Sequence, residues 1–272
     1  GYLGGLNFGG VNYKSWGFMT IISWPIGGVL AASVAWVIGK TALGLRSDYL
    51  AIATLGISEI IISVMKNEDW LSRGVKNVSG LPRPVPYEID LQESVGFLEW
   101  VSSFGGDPVT TSSIIVKLGY GGLFTLVLVI ILTLAQLALA SPWGRMMRAI
   151  RDNEYAAGAM GKNIKARHLQ VFILGSAICG VAGAMMTTLD SQLTPTAYQP
   201  LRFTFLIWVM VIVGGSGNNF GSVLGGFLIF FLWVQVEPIG TMLMQGITAG
   251  MAEDNALRLH LLDSVAHMRL LT

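Results

Sequence analysis

Basic side chains concentrate in one polar stretch of the chain, residues 142–168. Six of the 17 Lys and Arg residues lie in it: Arg145, Arg148, Arg151, Lys162, Lys165 and Arg167. Only Asp152 and Glu154 oppose them. Because the whole chain is 53% hydrophobic and only 12% charged, a basic cluster between two apolar runs is typical of a loop on the cytoplasmic side of a membrane protein.

The centre of this loop predicts a short helix with one face of small side chains. Spacings of three and four residues, which bring side chains to the same face of a helix, relate Ala156, Ala157, Met160 and Gly161. A three-residue spacing along the preceding turns relates Arg145, Arg148 and Arg151. Such a face can press into a cleft on a partner protein, and Gly161 would end the helix as its C-cap. An ordinary cytoplasmic loop would explain the charge equally well.

The remaining polar residues form no arrangement that supports catalysis or metal binding. His168, His260 and His267 are too dispersed for a metal site, and the chain has no Cys/His cluster. Residues 214–221 read GGSGNNFG, but no Gly-Lys-Ser/Thr follows, as a phosphate-binding loop requires. We therefore expect no enzyme, no cofactor and no metal. The net charge of +1 gives no indication of nucleic-acid binding.

Glu59 is the one carboxylate inside an apolar run that is long enough to enter a membrane. An acid within the bilayer is costly to bury and indicates a functional site by default. Glu59 lies only seven residues before Lys66, so it also fits a position near the outer interface. A role in the transport path or its gate and a structural hydrogen-bonding role both stay open.

The elements that must position these residues are apolar runs, of which about 20 residues are needed to cross a bilayer as a helix. The predicted spans are residues 16–38, 49–65, 118–140, 169–189, 197–213 and 222–236. Pro25 predicts a kink or a break in the first span. The last two spans are short, so two short helices or a re-entrant element would both fit. The predicted fold is an all-α, polytopic transmembrane helical bundle in a single domain, residues 1–272.

The distribution of basic residues predicts how the spans are oriented. With loop 142–168 inside the cell, residues 66–117 form an outer loop and residues 40–48 lie inside. Residues 190–202 then lie outside, and residues 214–221 return to the inside. The six basic residues of loop 142–168 contrast with the single Arg202 of segment 190–202, in agreement with the positive-inside rule.

Small residues recur at four-residue spacing in two places, a pattern that lets membrane helices approach closely. One series is Gly217, Gly221 and Gly225, and the other is Ser176, Gly180 and Ala184. We expect both series to pack helices together, within this chain or against a related one. The chain begins without methionine, and we expect it to be a piece of a longer protein.

Four segments carry a resemblance to one protein family. They are GLRSDYLAIATLGISEII (44–61), NVSGLP (77–82), EYAAGAMG (154–161) and VGGSGNNFGSVLG (213–225). Together, and in this order, they resemble the LivM-type membrane subunits of bacterial branched-chain amino-acid ABC importers. The third is similar to the "EAA" loop by which such subunits dock on their ATPase. The chain departs from the pattern at Val78, where glycine is usual, and at Glu154, which lies one place before the usual acid.

The resemblance implies a permease subunit of an ATP-driven importer in the bacterial cytoplasmic (inner) membrane. Its expected partners are a sibling permease, cytoplasmic ATPase subunits, an external binding protein that delivers branched-chain or similar amino acids, and the lipid bilayer. Loop 142–168 would couple to the ATPase through Arg145, Arg148, Arg151, Glu154, Ala156, Ala157 and Gly161. Three alternatives stay open: a urea or short-amide permease, an ion-coupled secondary transporter using Glu59, and a membrane scaffold without transport activity.

Overall fold

The computed structural model describes residues 16–44, 47–68, 78–194 and 200–248. Its helices are α1 (Trp16–Ala42), α2 (Ser47–Asn67), α3 (Glu88–Glu93), α4 (Val95–Ser103), α5 (Pro108–Ala140), α6 (Pro142–Asp152), α7 (Glu154–Ala159), α8 (Ile164–Asp190), α9 (Pro200–Gly214) and α10 (Asn219–Ile247). Two-residue strands β1 (Val78–Ser79) and β2 (Gln192–Leu193) pair antiparallel and form the one sheet of the described residues. The predicted all-α class is confirmed.

Five helices of the described residues are long and apolar enough to cross a membrane. These candidate spans are Met19–Ala42, Tyr49–Asn67, Pro108–Ala140, Ile164–Asp190 and Asn219–Val236. Phe203–Gly214 is apolar but shorter. The predicted span 197–213 therefore corresponds to α9, whereas residues 197–199 lie outside the described part of the chain.

Three helices differ in extent from the spans that hydropathy predicts. The first, α1, is unbroken across Pro25, so the predicted break is absent. The second, α5, begins at Pro108 rather than at residue 118. The third, α10, continues through Pro238 to Ile247 instead of ending at residue 236. Hydropathy locates the apolar part of a helix. It does not detect the further helical turns in which backbone hydrogen bonds continue beyond the apolar run.

The early start of α5 has a local cause in its cap. Asp107 Oδ2 accepts hydrogen bonds from the Thr110 N–H at 3.0 Å and from the Thr110 hydroxyl at 2.7 Å. Pro108 fills the first helical position, where the missing N–H costs nothing. The two hydrogen bonds from Thr110 hold the pKa of the Asp107 carboxyl below its ordinary value, because they favour the charged form.

The chain divides into two compact units, residues 1–200 and 201–272. In the first unit, α1 and α8 pack closely and antiparallel through their smallest residues. A Cβ atom placed on Gly28 would lie 2.8 Å from Cγ2 of Val181, and one on Gly180 would lie 2.6 Å from Cβ of Ala31. Only glycine fits at these two positions without moving a backbone. The prediction that Gly180 packs two helices is therefore confirmed.

Trp24 joins this helix pair to α5. The Trp24 side chain is 2% exposed, and its Nε1–H donates to Thr188 Oγ1 on α8 at 3.3 Å. Its ring meets Phe124 edge-on at a centroid distance of 6.0 Å, and Phe124 meets Tyr120 in the same way at 5.8 Å. The Trp24–Phe124 contact joins α5 to the pair, since edge-to-face rings add directional attraction to burial, whereas the Tyr120–Phe124 contact lies within α5.

In the second unit, α9 and α10 form a hairpin through a glycine turn. Gly215 and Gly217 have φ angles of +95° and +96°, a conformation that favours glycine. A Cβ atom on Gly225 would overlap the carbonyl oxygen of Met210, and one on Gly221 would overlap that of Gly214. Gly221 and Gly225 thus let the two helices approach. A Cβ atom on Gly217 would meet nothing within 4 Å, so Gly217 serves the turn. The sequence pattern predicts that Gly217 packs helices together, and for this residue the prediction is wrong.

We expect Gly180→Leu to destabilise the first unit, because the new side chain must push α1 away from α8. Overpacking of this kind costs about 1–3 kcal/mol, which thermal unfolding of the purified protein in detergent will detect as a lower midpoint. Gly183→Leu is the matched control, since a Cβ atom at Gly183 meets nothing within 4 Å. Equal losses in the two variants would contradict the packing described.

The cap of α5 should loosen in acid, whereas an uncharged cap should not. Because the pKa of Asp107 is lowered in the folded state, its carboxylate contributes fully to the stability of the α5 cap above the ordinary aspartate pKa of about 3.9. The contribution is lost as the pH falls through the lower folded-state pKa. Hydrogen-exchange protection of the Thr110 amide should therefore fall in strong acid. The Ala166 amide, which donates to the uncharged Asn163 side chain at 3.0 Å, is the control and should keep its protection.

Candidate functional site

The basic loop folds back on the end of α5 at Ser141. The Ser141 N–H donates to the Leu137 carbonyl at 3.1 Å, and Ser141 Oγ accepts from the Gly144 N–H at 3.4 Å. Ser141 is thus the last cap of α5 and the first cap of α6. Gly144 is buried, and a Cβ atom there would overlap the backbone of Leu139. The sequence gives no sign that glycine is required at position 144. The requirement arises only because α6 folds back closely on the end of α5.

Two asparagines define the next two helix starts. Asn153 Oδ1 accepts from the Ala156 N–H at 3.0 Å and begins α7. Asn163 Oδ1 accepts from the Ala166 N–H at 3.0 Å and begins α8. Each side chain satisfies a backbone donor that the first turn of a helix leaves unpaired. The loop is consequently built of defined short helices, with caps at the points where the chain changes direction.

Gly161 ends α7 in the manner that the sequence predicts. Its φ angle is +75°, its N–H donates to the Gly158 carbonyl at 2.9 Å, and the Lys162 N–H donates to the Ala157 carbonyl at 3.2 Å. This pair of bonds is the Schellman arrangement that terminates helices at glycine. The prediction of Gly161 as a C-cap is confirmed.

The face that the loop presents differs from the predicted one. Ala157 is only 8% exposed, whereas Tyr155 is 93% and Met160 80% exposed. The predicted face of small residues is therefore turned partly inward, because α7 packs Ala157 inside the loop. Tyr155 on α7 and Met160 at its C-cap are large exposed side chains, and the exposure of Tyr155 was not predicted from the sequence.

The other predicted coupling residues lie on the surface of the loop. These exposed residues are Arg145, Arg148, Arg151, Glu154 and Ala156. Arg151 pairs with the neighbouring Asp152 at 3.1 Å, with both side chains 67% exposed, and an exposed pair of this kind contributes little stability. The loop thus exposes charged side chains on α6 and α7 as well as Tyr155 and Met160, the two kinds of residue that form the polar rim and the apolar centre of a protein interface.

Side-chain hydrogen bonds attach the loop to the first turns of α8. Trp143 Nε1–H donates to Gln170 Oε1 at 3.0 Å, and Arg167 Nη1–H donates to the same oxygen at 2.8 Å. Trp143 belongs to α6, so the two helices on either side of α7 are joined directly. The side-chain bond from Trp143 to Gln170 therefore connects α6 to α8 in addition to the backbone that runs through α7.

Glu59 lies on α2 with its side chain exposed. Within the part of the chain that the structure describes, no hydrogen bond or ion pair of the Glu59 carboxylate is found. Both roles that the sequence leaves open for Glu59 stay predictions. The described residues also contain no group of three or more His, Cys, Asp or Glu side chains that could hold a metal ion.

At the opposite end of α8 from the loop, residues 78–83 cross the helix end. Val78 pairs with Leu193 in the two-stranded sheet, and the Leu81 N–H donates to the Ser191 carbonyl at 3.1 Å. Arg83 Nε–H donates to Ser191 Oγ. We call residues 78–83 the strap. Most of the strap belongs to the segment 77–82 that carries part of the family resemblance, but its attachment to Ser191 was not predicted from the sequence.

Comparison with known proteins gives one family. Residues 1–252 match the family described as "Branched-chain amino acid transport system / permease component". The chain is 28% identical over 220 residues to the high-affinity branched-chain amino acid transport system permease protein LivM of Escherichia coli (strain K12), covering 80% of this chain and 51% of that protein. A probable branched-chain amino acid transport permease protein LivM of Methanocaldococcus jannaschii is 36% identical over 87 residues, 32% of this chain and 25% of that protein.

A further relative is named for the import of a different substrate. The fructose import permease protein FrcC of Rhizobium meliloti is 25% identical over 103 residues, which cover 36% of this chain and 29% of that protein. The chain spans about half the length of the Escherichia coli relative. No solved structure matches the chain.

We expect Gly144→Val to displace α6 from the end of α5, because the new side chain would overlap the Leu139 backbone. The displaced loop should be cut faster by trypsin after Arg145, Arg148 and Arg151, as measured on inside-out membrane vesicles. Gly122→Val, on α5 where a Cβ atom meets nothing within 4 Å, is the control. Unchanged cleavage of Gly144→Val would contradict the fold-back.

Proposed function

Because the chain belongs to the family of branched-chain amino acid transport system permease components, we propose that it is a membrane subunit of an ATP-driven importer for branched-chain or related amino acids. The family and the five membrane-length helices confirm a multi-pass protein of the cytoplasmic membrane. The named relatives are transport components, in agreement with the prediction that the chain is not an enzyme. The substrate, the energy source and the partners belong to the proposal.

The observation that carries the proposal is the loop between α5 and α8. It displays Tyr155 on the short helix α7 and Met160 at the C-cap of that helix, between two helices that are each long enough to cross the membrane. We propose that this apolar pair inserts into a cleft of a cytoplasmic ATPase, with Arg145, Arg148 and Arg151 at the rim. Exposed aromatic and methionine side chains are typical of the centre of a protein interface.

Motion of the ATPase would then pass along α8. This helix starts directly after the loop, and the Gly28–Gly180 region locks it to α1. A 27-residue helix is about 40 Å long at 1.5 Å per residue. A displacement at α7 would therefore move both α1 and α8 at the far side of the membrane, and no catalytic residue is needed in this chain.

The orientation of the helices and the further partners follow from the same proposal. Loop 142–168 faces the cytoplasm, residues 66–117 lie outside, and the two ends of α8 lie on opposite sides. A sibling permease would complete the path, and an external binding protein would deliver the substrate. Apolar side chains exposed on α2, such as Ile52 and Ile60, offer a surface for the sibling or for lipid.

The test of docking is the loss of the ATPase from the purified complex. We expect Tyr155→Ala together with Met160→Ala to release the ATPase, because each removes an anchor of the kind that costs about 2 kcal/mol or more at an interface. Co-purification in mild detergent, quantified by mass spectrometry, measures the loss. Phe104→Ala is the control, since Phe104 is also exposed but lies in the proposed outer loop. Full retention of the ATPase by the double variant would refute docking through α7.

The ion-coupled alternative makes a different prediction at Glu59. Its exposed carboxylate on α2 is the one feature that favours this alternative. For an ATP-driven importer, we expect Glu59→Gln to leave uptake of labelled leucine unchanged, whereas an inactive ATPase partner abolishes it. Uptake that survives the inactive ATPase and falls with Glu59→Gln or with collapse of the ion gradient would replace the proposal.

A further inference from the structure

A cavity of about 320 Å³ lies between α1 and α8 beneath the strap. Its walls are Met19, Ile26 and Leu30 of α1 and Ala184, Thr187 and Thr188 of α8. Its cover is formed by Val78, Leu81 and Pro82 of the strap together with Leu193. Pockets for small molecules begin at about 300 Å³, so the space suits a ligand of a few heavy atoms rather than a large one.

The chemistry of the lining selects an uncharged, apolar group. None of the lining residues is charged. Four hydroxyl-bearing residues line the cavity: Thr20, Ser23, Thr187 and Thr188. The last three have committed protons, because Ser23 Oγ donates to the Thr20 carbonyl at 2.6 Å, Thr187 Oγ1 to the Ala184 carbonyl at 2.9 Å and Thr188 Oγ1 to the Met185 carbonyl at 2.8 Å. The hydroxyl oxygens are thus acceptors, and a charged side chain within the cavity would lack a counter-ion.

The cavity lies beside a close contact of the α1–α8 pair. A Cβ atom on Gly27 would lie 3.2 Å from Cβ of Ala184, and both residues line the cavity. The buried Trp24 donates a hydrogen bond to Thr188, another lining residue, at 3.3 Å. Contacts between α1 and α8 therefore fix the positions of the two walls.

The strap closes the cavity through a small number of bonds. They are the β1–β2 pairing, the Leu81–Ser191 backbone bond and the Arg83–Ser191 side-chain bond. Arg83 also lies 3.6 Å from the Glu88 carboxylate and over the ring of Tyr87 at 5.0 Å. The β1–β2 pairing and the two bonds to Ser191 attach the strap to Ser191–Leu193, immediately beyond the end of α8. Movement of α8 would therefore move the cover directly.

We propose that this cavity binds the aliphatic side chain of the amino acid that the importer carries. The inference rests on the proposed function and adds to it the place where the side chain is recognised and the cover that would move. Movement of α8, driven from α7, would shift Ser191–Leu193 and with them the strap, and so uncover the cavity and release the side chain. The branched side chains of leucine, isoleucine and valine match both the apolar lining and the volume.

The test changes the cavity size and measures which amino acid is taken up. The complete importer, with the full-length permease, its partners and an unchanged binding protein, is expressed in cells that lack other leucine importers. Uptake of labelled leucine, alanine and phenylalanine is compared for each variant. Because the binding protein is the same throughout, its own selectivity cancels when ratios are compared with the wild type.

We expect Thr187→Leu, which fills the cavity, to reduce the leucine-to-alanine uptake ratio by about 10-fold or more, the scale at which hydrophobic pockets distinguish added methylenes. Ser23→Val fills the cavity from α1 and should act in the same direction. Leu81→Ala enlarges the cavity and should raise the phenylalanine-to-leucine ratio. Thr54→Leu is the control, because Thr54 lines a different cavity of about 300 Å³ near Phe172, and its ratios should equal the wild type.

The other outcomes overturn the inference in distinguishable ways. Unchanged ratios in Thr187→Leu, Ser23→Val and Leu81→Ala, with uptake intact, would assign the cavity to a lipid chain or to packing alone. An equal loss of all three amino acids in each variant would show a structural role. A wild-type importer that takes up none of the three would refute the proposed function itself, and the inference would fall with it.

Discussion

The contact between α1 and α8 is the constraint on which the first unit depends. Gly28 and Gly180 bring the two backbones so close that a single added Cβ atom would force them apart. In a membrane, where burial from water gives helices no reason to associate, such close packing supplies the attraction by dispersion. Trp24 adds a hydrogen bond to Thr188 across the same contact. The loop at one end and the covered cavity at the other are therefore parts of one stiff element.

This stiffness explains why the polar features occur at the ends of the pair. Beyond the cavity, Gly28, Ala31 and Gly180 bring the two backbones into contact, and such close packing resists movement of one helix along the other. At the loop, the two short helices α6 and α7 replace a flexible connection, because Asn153, Gly161 and Asn163 each satisfy backbone groups at a change of direction. At the other end, Ser191 adopts a left-handed conformation with φ of +53° and turns the chain back beneath the strap.

The sequence predicts those features that depend on neighbouring residues and misses those that depend on distant ones. Gly161 follows a small-residue helix, and a glycine in that place is a local termination signal. Asp107-Pro108 is likewise a local signal for the start of a helix. Because the residues around it are polar, a prediction from hydropathy places the start of the helix later. Whether Ala157 points outward is decided by how α7 packs, and no spacing reveals it. The bonds from Trp143 to Gln170 and from Arg83 to Ser191 join residues that lie far apart along the chain, so no periodic pattern contains them.

The shared cap at Ser141 has a consequence for how the chain tolerates changes of length. One residue ends α5 and begins α6, so there is no linker in which an extra residue can be absorbed. Each residue of a helix turns its successor by about 100°, the angle that 3.6 residues per turn requires. An insertion or deletion beside Ser141 would therefore rotate Tyr155 and Met160 away from their present direction relative to the membrane helices. Indels should accumulate in the polar connections of residues 80–107 and be rare between residues 137 and 164.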